Sequence, residues 1–184
     1  ALFFVSTAPV IEGRVLDVHK LHMIRSVMDD AELALRLDQQ FGMGKYIFDD
    51  TVLATQYRYD EPMSRRVKYF LNFVLEAEMK EHFIGSLFVE LHGDEKAAAQ
   101  ELYMSREDWK LLAAKGYLGT HGHRHMPLAT LTAEALREDI HQSLEILRDT
   151  TGHTVRGISY PFGGKTAVSE TVFTISQMLG LTYG

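Results

Sequence analysis

Short apolar runs of β-forming residues alternate along this chain with longer segments whose apolar residues recur at helical spacing. That alternation restricts the fold more than any other feature. Leu2–Ser6 is the first apolar run. From about Val18 to Gln40 the apolar residues Leu21, Ile24, Met28, Leu33 and Leu37 follow a helical period, and Gly42 and Gly44 mark its end. "KYIF" (45–48) reads as a strand, Ser64 to Glu81 as a helix, and "IGSLFVEL" (84–91) as another strand. Ser105, with Asp108 three positions on, opens a further helix that closes at Gly116. "GYLGTH" is then a strand. Thr132 caps a helix carrying Leu136, Ile140, Leu144 and Leu147, with Leu131 and Leu136 as a staple across its entry and Gly152 at its end. "VRGISYP", "SETVFTISQMLG" and "LTYG" read as strand, helix and the beginning of a strand, so the chain is expected to continue past its last residue. Such a series predicts parallel strands joined by crossover helices, an α/β architecture.

A length of 184 residues predicts one domain, and 46% hydrophobic residues supply an ordinary globular core. The net charge of −6 argues against nucleic acid or an anionic membrane as the partner. The chain has no cysteine, which excludes disulfides, thiolate metal sites and a cysteine nucleophile. No apolar run approaches the roughly 18 residues of a membrane-spanning helix. The opening "ALFFVSTAPV" lacks a basic stretch and reads as a strand rather than a signal peptide. No heptad seam speaks to oligomeric state, and localisation stays open between cytoplasmic and secreted.

In α/β folds, reactive groups gather at the C-terminal ends of strands. Three unusual clusters fall at such expected ends. Asp49 and Asp50 follow "KYIF"; as a bare loop they would be solvated or would cap a helix, but a buried carboxylate needs a partner. His121, His123 and His125 place three of the nine histidines in five positions. The His-x-x-x-His spacing of His121 and His125 suits convergence on one ion, with His123 pointing elsewhere. Tyr160, Pro161, Phe162 and Gly163 form either a plain turn or a pocket wall, with aromatic rings to lie against a sugar and an N–H to hold an oxyanion. The remaining histidines lie on helices or loops and read as surface, except that His92, after the apolar run ending in "VEL", could rim the same face.

Taken in order, "FDD", His-x-x-x-His and "YPFG" resemble the polysaccharide deacetylases, the family of the NodB homology domain (carbohydrate esterase family 4). The resemblance covers about residues 45 to 184; residues 1 to 44 read as an additional strand and helix within a single catalytic domain. It implies an irregular, incomplete (β/α) barrel and a metal-dependent hydrolase that removes N-acetyl groups from sugars of a polysaccharide, oligosaccharide or lipid-linked glycan. Asp49 would be the general base, and Asp50, His121 and His125 the ligands of a divalent metal, zinc by their chemistry. The peptide N–H of Phe162 would hold the oxyanion, with Tyr160 and Pro161 in the pocket wall. Three positions depart from the family pattern. Thr51 stands where many members have glycine. Ser159 stands where an arginine usually pairs with the base, leaving Arg58 and Arg124 as substitutes by proximity. No His or Asp follows Gly163 to serve as the general acid. A relative that binds glycan or metal without turnover, and an amidase for non-sugar amides, are the alternatives.

Overall fold

The computed structural model describes residues 1–164 and 167–184. Among these residues two strands and ten α-helices run in the order β1 (Phe3–Val5), α1 (Ala8–Glu12), α2 (Asp17–Val27), α3 (Asp30–Phe41), α4 (Asp50–Gln56), α5 (Pro62–Tyr69), α6 (Ala77–His92), α7 (Glu95–Leu102), α8 (Arg106–Ala114), β2 (Leu118–Thr120), α9 (Ala133–Thr151) and α10 (Glu170–Met178). The fold is α/β and mostly helical. It divides into two compact units, one of residues 1–16 and 95–184, the other of residues 17–94.

In the first unit β1 and β2 pair in parallel, with Phe3 opposite Leu118, Phe4 opposite Gly119 and Val5 opposite Thr120. Parallel bridges continue the row from Thr120 to Ile158 and from Gly157 to Tyr183. The expected strands at "VRGISYP" and "LTYG" are thus present as single bridges. Val5 and Leu118 face Trp109 and Ala113 of α8 and Leu147 of α9 in one buried cluster. Ile158 packs with Leu136 and Ile140 of α9 and Val172 of α10 in a second. Each fully buried side chain of this size contributes about 1.5–3 kcal/mol. The capping signals operate as read. Ser105 and Asp108 form a reciprocal capping box on α8. Thr132 accepts from the Ala135 N–H at the start of α9, and Gly152 ends that helix in the left-handed conformation.

The second unit is helical throughout, and here the sequence expectations need correction. The helix expected from Val18 to Gln40 is two helices, because Asp29 accepts the Glu32 N–H and starts α3 afresh. The expected strand at 45–48 is a short 3-10 turn (Met43–Lys45) followed by irregular chain, whose Tyr46 and Phe48 rings stack edge to face at 4.8 Å. "IGSLFVEL" is not a strand but the second half of α6. Phe83, Ile84, Leu87 and Phe88 are all buried, a helical spacing that a short continuous apolar run conceals. The helix expected from Ser64 to Glu81 is broken into α5, a wide π-type turn (Phe70–Val74) and the start of α6. A polar joint ties three helices together. Arg25 of α2 grips both carboxylate oxygens of Asp30 on α3 at 2.6 and 2.7 Å, and Ser64 of α5 bonds to the same carboxylate. The Arg25 hydrogen bonds hold the Asp30 carboxyl below its ordinary value.

Candidate active site

His121 is the first residue after β2. Its N–H donates to the Val5 carbonyl at 2.8 Å, so the sheet ladder itself sets where the side chain starts. Its Nδ1–H donates to the Ser159 carbonyl at 2.6 Å, on the neighbouring bridge strand. A carbonyl can only accept, so this bond selects the Nδ1–H tautomer and leaves the Nε2 lone pair for another partner. Burial pushes the His121 pKa below its ordinary value, with the Ser159 carbonyl opposing in part. The ring is therefore neutral at physiological pH.

Four residues on, His125 adopts a left-handed backbone with φ 57°, as does Phe162 with φ 66°. Side chains other than glycine rarely take that conformation, and it concentrates at functional sites. The His125 ring lies edge-on to His121 with centroids 4.9 Å apart, and to Phe162 at 5.1 Å. Two sequence clusters of this unit, His-x-x-x-His and "YPFG", thus meet in space. Pro161 is buried, whereas the Phe162 side chain is 61% exposed. Tyr160 packs edge to face on Phe173 at 5.5 Å. Both rings, with Ser159, Phe4 and Tyr183, line a cavity of about 720 Å³, and neither histidine is among its lining residues; Ser159, which accepts the His121 Nδ1–H, is.

The loop between the two histidines is secured by residues that sequence reasoning overlooked. Asp139 of α9 is buried, and its carboxylate accepts the N–H of His123 at 2.8 Å and of Arg124 at 3.0 Å. One turn further along α9, the Ser143 hydroxyl meets the Thr120 hydroxyl at 2.6 Å, which in turn accepts the Gly122 N–H at 3.1 Å. His123 points away from its neighbours, as expected, and it is 1% exposed. Its Nδ1 meets the Thr7 hydroxyl at 2.8 Å and its Nε2 approaches Glu12 at 3.4 Å. The available signal was the buried stripe of α9: Asp139 and Ser143 sit among Leu136, Ile140 and Leu147 at core spacing, where a polar residue requires a partner.

Asp49 and Asp50 belong to the other unit, and they do not follow a strand. Asp49 is the N-cap of α4, with Oδ1 accepting the N–H of Thr51 at 2.9 Å and of Val52 at 3.2 Å. Asp50 is the first residue of the helix. Both of its oxygens take the Arg66 guanidinium, at 3.1 and 3.2 Å, and Arg66 lies over the Phe48 ring at 5.7 Å. The arginine on the acidic pair is thus Arg66. Arg58 lies instead over the Tyr59 ring, and Arg124 gives its backbone N–H to Asp139. Asp50 is 72% exposed, so this ion pair contributes about 0–1 kcal/mol.

The match to known families follows the same residues. Residues 48–184 match the family described as polysaccharide deacetylase. The chain belongs to the polysaccharide deacetylase family. No curated protein and no solved structure matches it. The matched span opens on Phe48 and the acidic pair and includes both histidines and the "YPFG" turn. Members of this family are generally metal-dependent, and the histidine pair fits such an ion. Imidazoles, one of them locked in its tautomer by a backbone carbonyl, are the donors of zinc-type sites. Among the described residues no group of three or more such side chains is gathered around one point, and the Asp50 carboxylate is occupied by Arg66. No helix of the described residues is long and apolar enough to cross a membrane.

Proposed function

We propose that this protein is a metal-dependent hydrolase that removes N-acetyl groups from sugars of a polysaccharide, an oligosaccharide or a lipid-linked glycan. The observation that carries the reading is the meeting of His121, His125 and Phe162 in a chain of the polysaccharide deacetylase family. The proposal takes residues 1–184 as one catalytic domain, with residues 1–44 as an addition. It takes the fold to be the irregular, incomplete (β/α) barrel of the family, for which the parallel row of β1, β2 and the two bridges is the support.

In this reading His121, His125 and Asp50 hold a divalent ion, zinc by the nitrogen and oxygen donors present. When bound, the ion supplies a Lewis acid that acidifies water and polarises the amide carbonyl. The chain's own groups do the remainder. Asp49 uses Oδ1 to cap α4, which leaves Oδ2 to take a proton from attacking water and to return it to the sugar nitrogen as the C–N bond breaks. The Phe162 N–H donates to the oxygen that becomes negative as the acetyl carbon turns tetrahedral. Losing one such donor costs about 3 kcal/mol in the barrier. Tyr160 and Pro161 wall the sugar.

A second reading is a family member that binds glycan or metal without turnover. Ser159 in place of the family's arginine, and Arg66 on both oxygens of Asp50, favour it. Metal analysis combined with acetate release from N-acetylated oligosaccharides separates the two. The hydrolase reading expects bound metal and free acetate, with both lost in Asp50→Ala, His121→Ala and His125→Ala. Metal without acetate would favour the binder.

A further inference from the structure

We propose that Asp139 is the positioning residue of the histidine pair, setting the separation of the His121 and His125 rings through the backbone between them. The consequence for metal binding rests on the function proposed above; the effect on ring geometry does not.

Three residues separate the two histidines. Two of them, His123 and Arg124, give their N–H groups to opposite oxygens of the Asp139 carboxylate at 2.8 and 3.0 Å. Two hydrogen bonds to one buried carboxylate fix both its direction and the backbone that donates them. The third residue, Gly122, has φ +75° and passes so close that an added Cβ would lie 2.7 Å from Asp139 Oδ2. The carboxylate is thus wrapped by the whole connecting loop. Immediately after the clamped residues the chain enters the left-handed backbone of His125. Such a conformation is costly for a residue other than glycine and persists only where surrounding contacts impose it. Asp139 supplies those contacts from a rigid helix of nineteen residues, α9. The Ser143–Thr120–Gly122 chain fixes the other end of the loop from the same helix face. The loop between the histidines is therefore held from α9, which carries neither of them, while the β1–β2 ladder and the Ser159 carbonyl hold His121 itself.

The test uses the metal-free protein and Asp139→Asn. This change keeps the side-chain volume but leaves one oxygen for two N–H donors and turns an NH2 toward the second. The expected result is native far-UV circular dichroism and cooperative unfolding, together with loss of the NMR cross-relaxation between the His121 and His125 ring protons that their 4.9 Å separation predicts for the unaltered chain. With Co²⁺ alone as probe, affinity measured by calorimetry is expected to fall tenfold or more, the usual effect of removing a group that orients metal ligands. Unchanged ring contacts in folded Asp139→Asn overturn the inference. If Asp139→Asn fails to fold, Gly122→Ala is read instead: it crowds the same carboxylate from the loop side, the same loss is expected, and retained ring contacts overturn the inference. Failure of the unaltered protein to bind Co²⁺ would refute the metal reading, while the ring-proton comparison still decides the role of Asp139.

Discussion

Replacing Gly119 by alanine tests the packing beneath the histidines. Gly119 lies in β2, two residues before His121, and stands opposite Phe4 of β1. An added Cβ would lie 2.5 and 2.6 Å from two carbons of the Phe4 ring and 2.9 Å from the Gly157 carbonyl oxygen. The ring can swing aside, but the carbonyl belongs to the sheet and cannot move without disturbing the ladder. Overpacking of this kind costs about 1–3 kcal/mol. For a chain of this length that corresponds to a fall in Tm of about 2–12 °C. The assay is a double-mutant cycle in urea or by thermal unfolding, with Gly119→Ala, Phe4→Ala and both together. The ring contact predicts that the double variant is less destabilised than the sum of the singles by about 1 kcal/mol. A Gly119→Ala protein as stable as the original, or strict additivity, would refute the placement of Phe4 over this strand. The same row contains Gly157, where a Cβ would collide with the Tyr183 ring, so Gly157→Ala is a second probe of the same reasoning.

Asp49→Asn separates capping from chemistry. Asparagine caps helices as well as aspartate does, so stability and metal content are expected to stay while acetate release is lost; retained turnover would contradict the base role. Asp49→Ala removes the cap as well and is expected to cost about 0.5–2 kcal/mol, read from the urea midpoint. Metal-free protein is expected to lose stability in acid through His121. Its folded pKa lies below the ordinary value of 6.5, so the unfolded chain binds more protons in the window beneath that value. The stabilisation is present above pH 6.5 and is lost as pH falls through the folded pKa; an unfolding midpoint whose pH slope is unchanged in His121→Asn would argue against this. Trp109→Ala empties a fully buried site between α8 and the sheet, and an expected loss of about 3–5 kcal/mol is measurable by the same unfolding assay.

Local rules made part of this protein legible in the sequence. Helix caps, apolar periods of three and four, and glycine stops act within a few residues of one another, so α8, α9 and α10 could be read directly from Ser105, Thr132, Gly152 and the spacing of Leu136, Ile140 and Leu147. The strand leading to His121 and the two ring-bearing motifs were legible for the same reason, and the order of the acidic pair, the histidines and the "YPFG" turn pointed to the family. The second unit was less legible. Its apolar runs are short and continuous: Phe83–Phe88 carries no local signal that separates strand from helix, and burial against partner helices makes it part of α6, whereas Tyr46–Phe48 forms neither, with Ile47 exposed. Only tertiary structure could reveal the supports of the site. Asp139 reaches the histidine loop across 15 or 16 positions of chain, His123 reaches Thr7 across 116, and His121 reaches Ser159 across 38. A buried carboxylate, hydroxyl or imidazole demands a partner, but the demand is non-directional along the chain, and only the fold determines which distant group answers it.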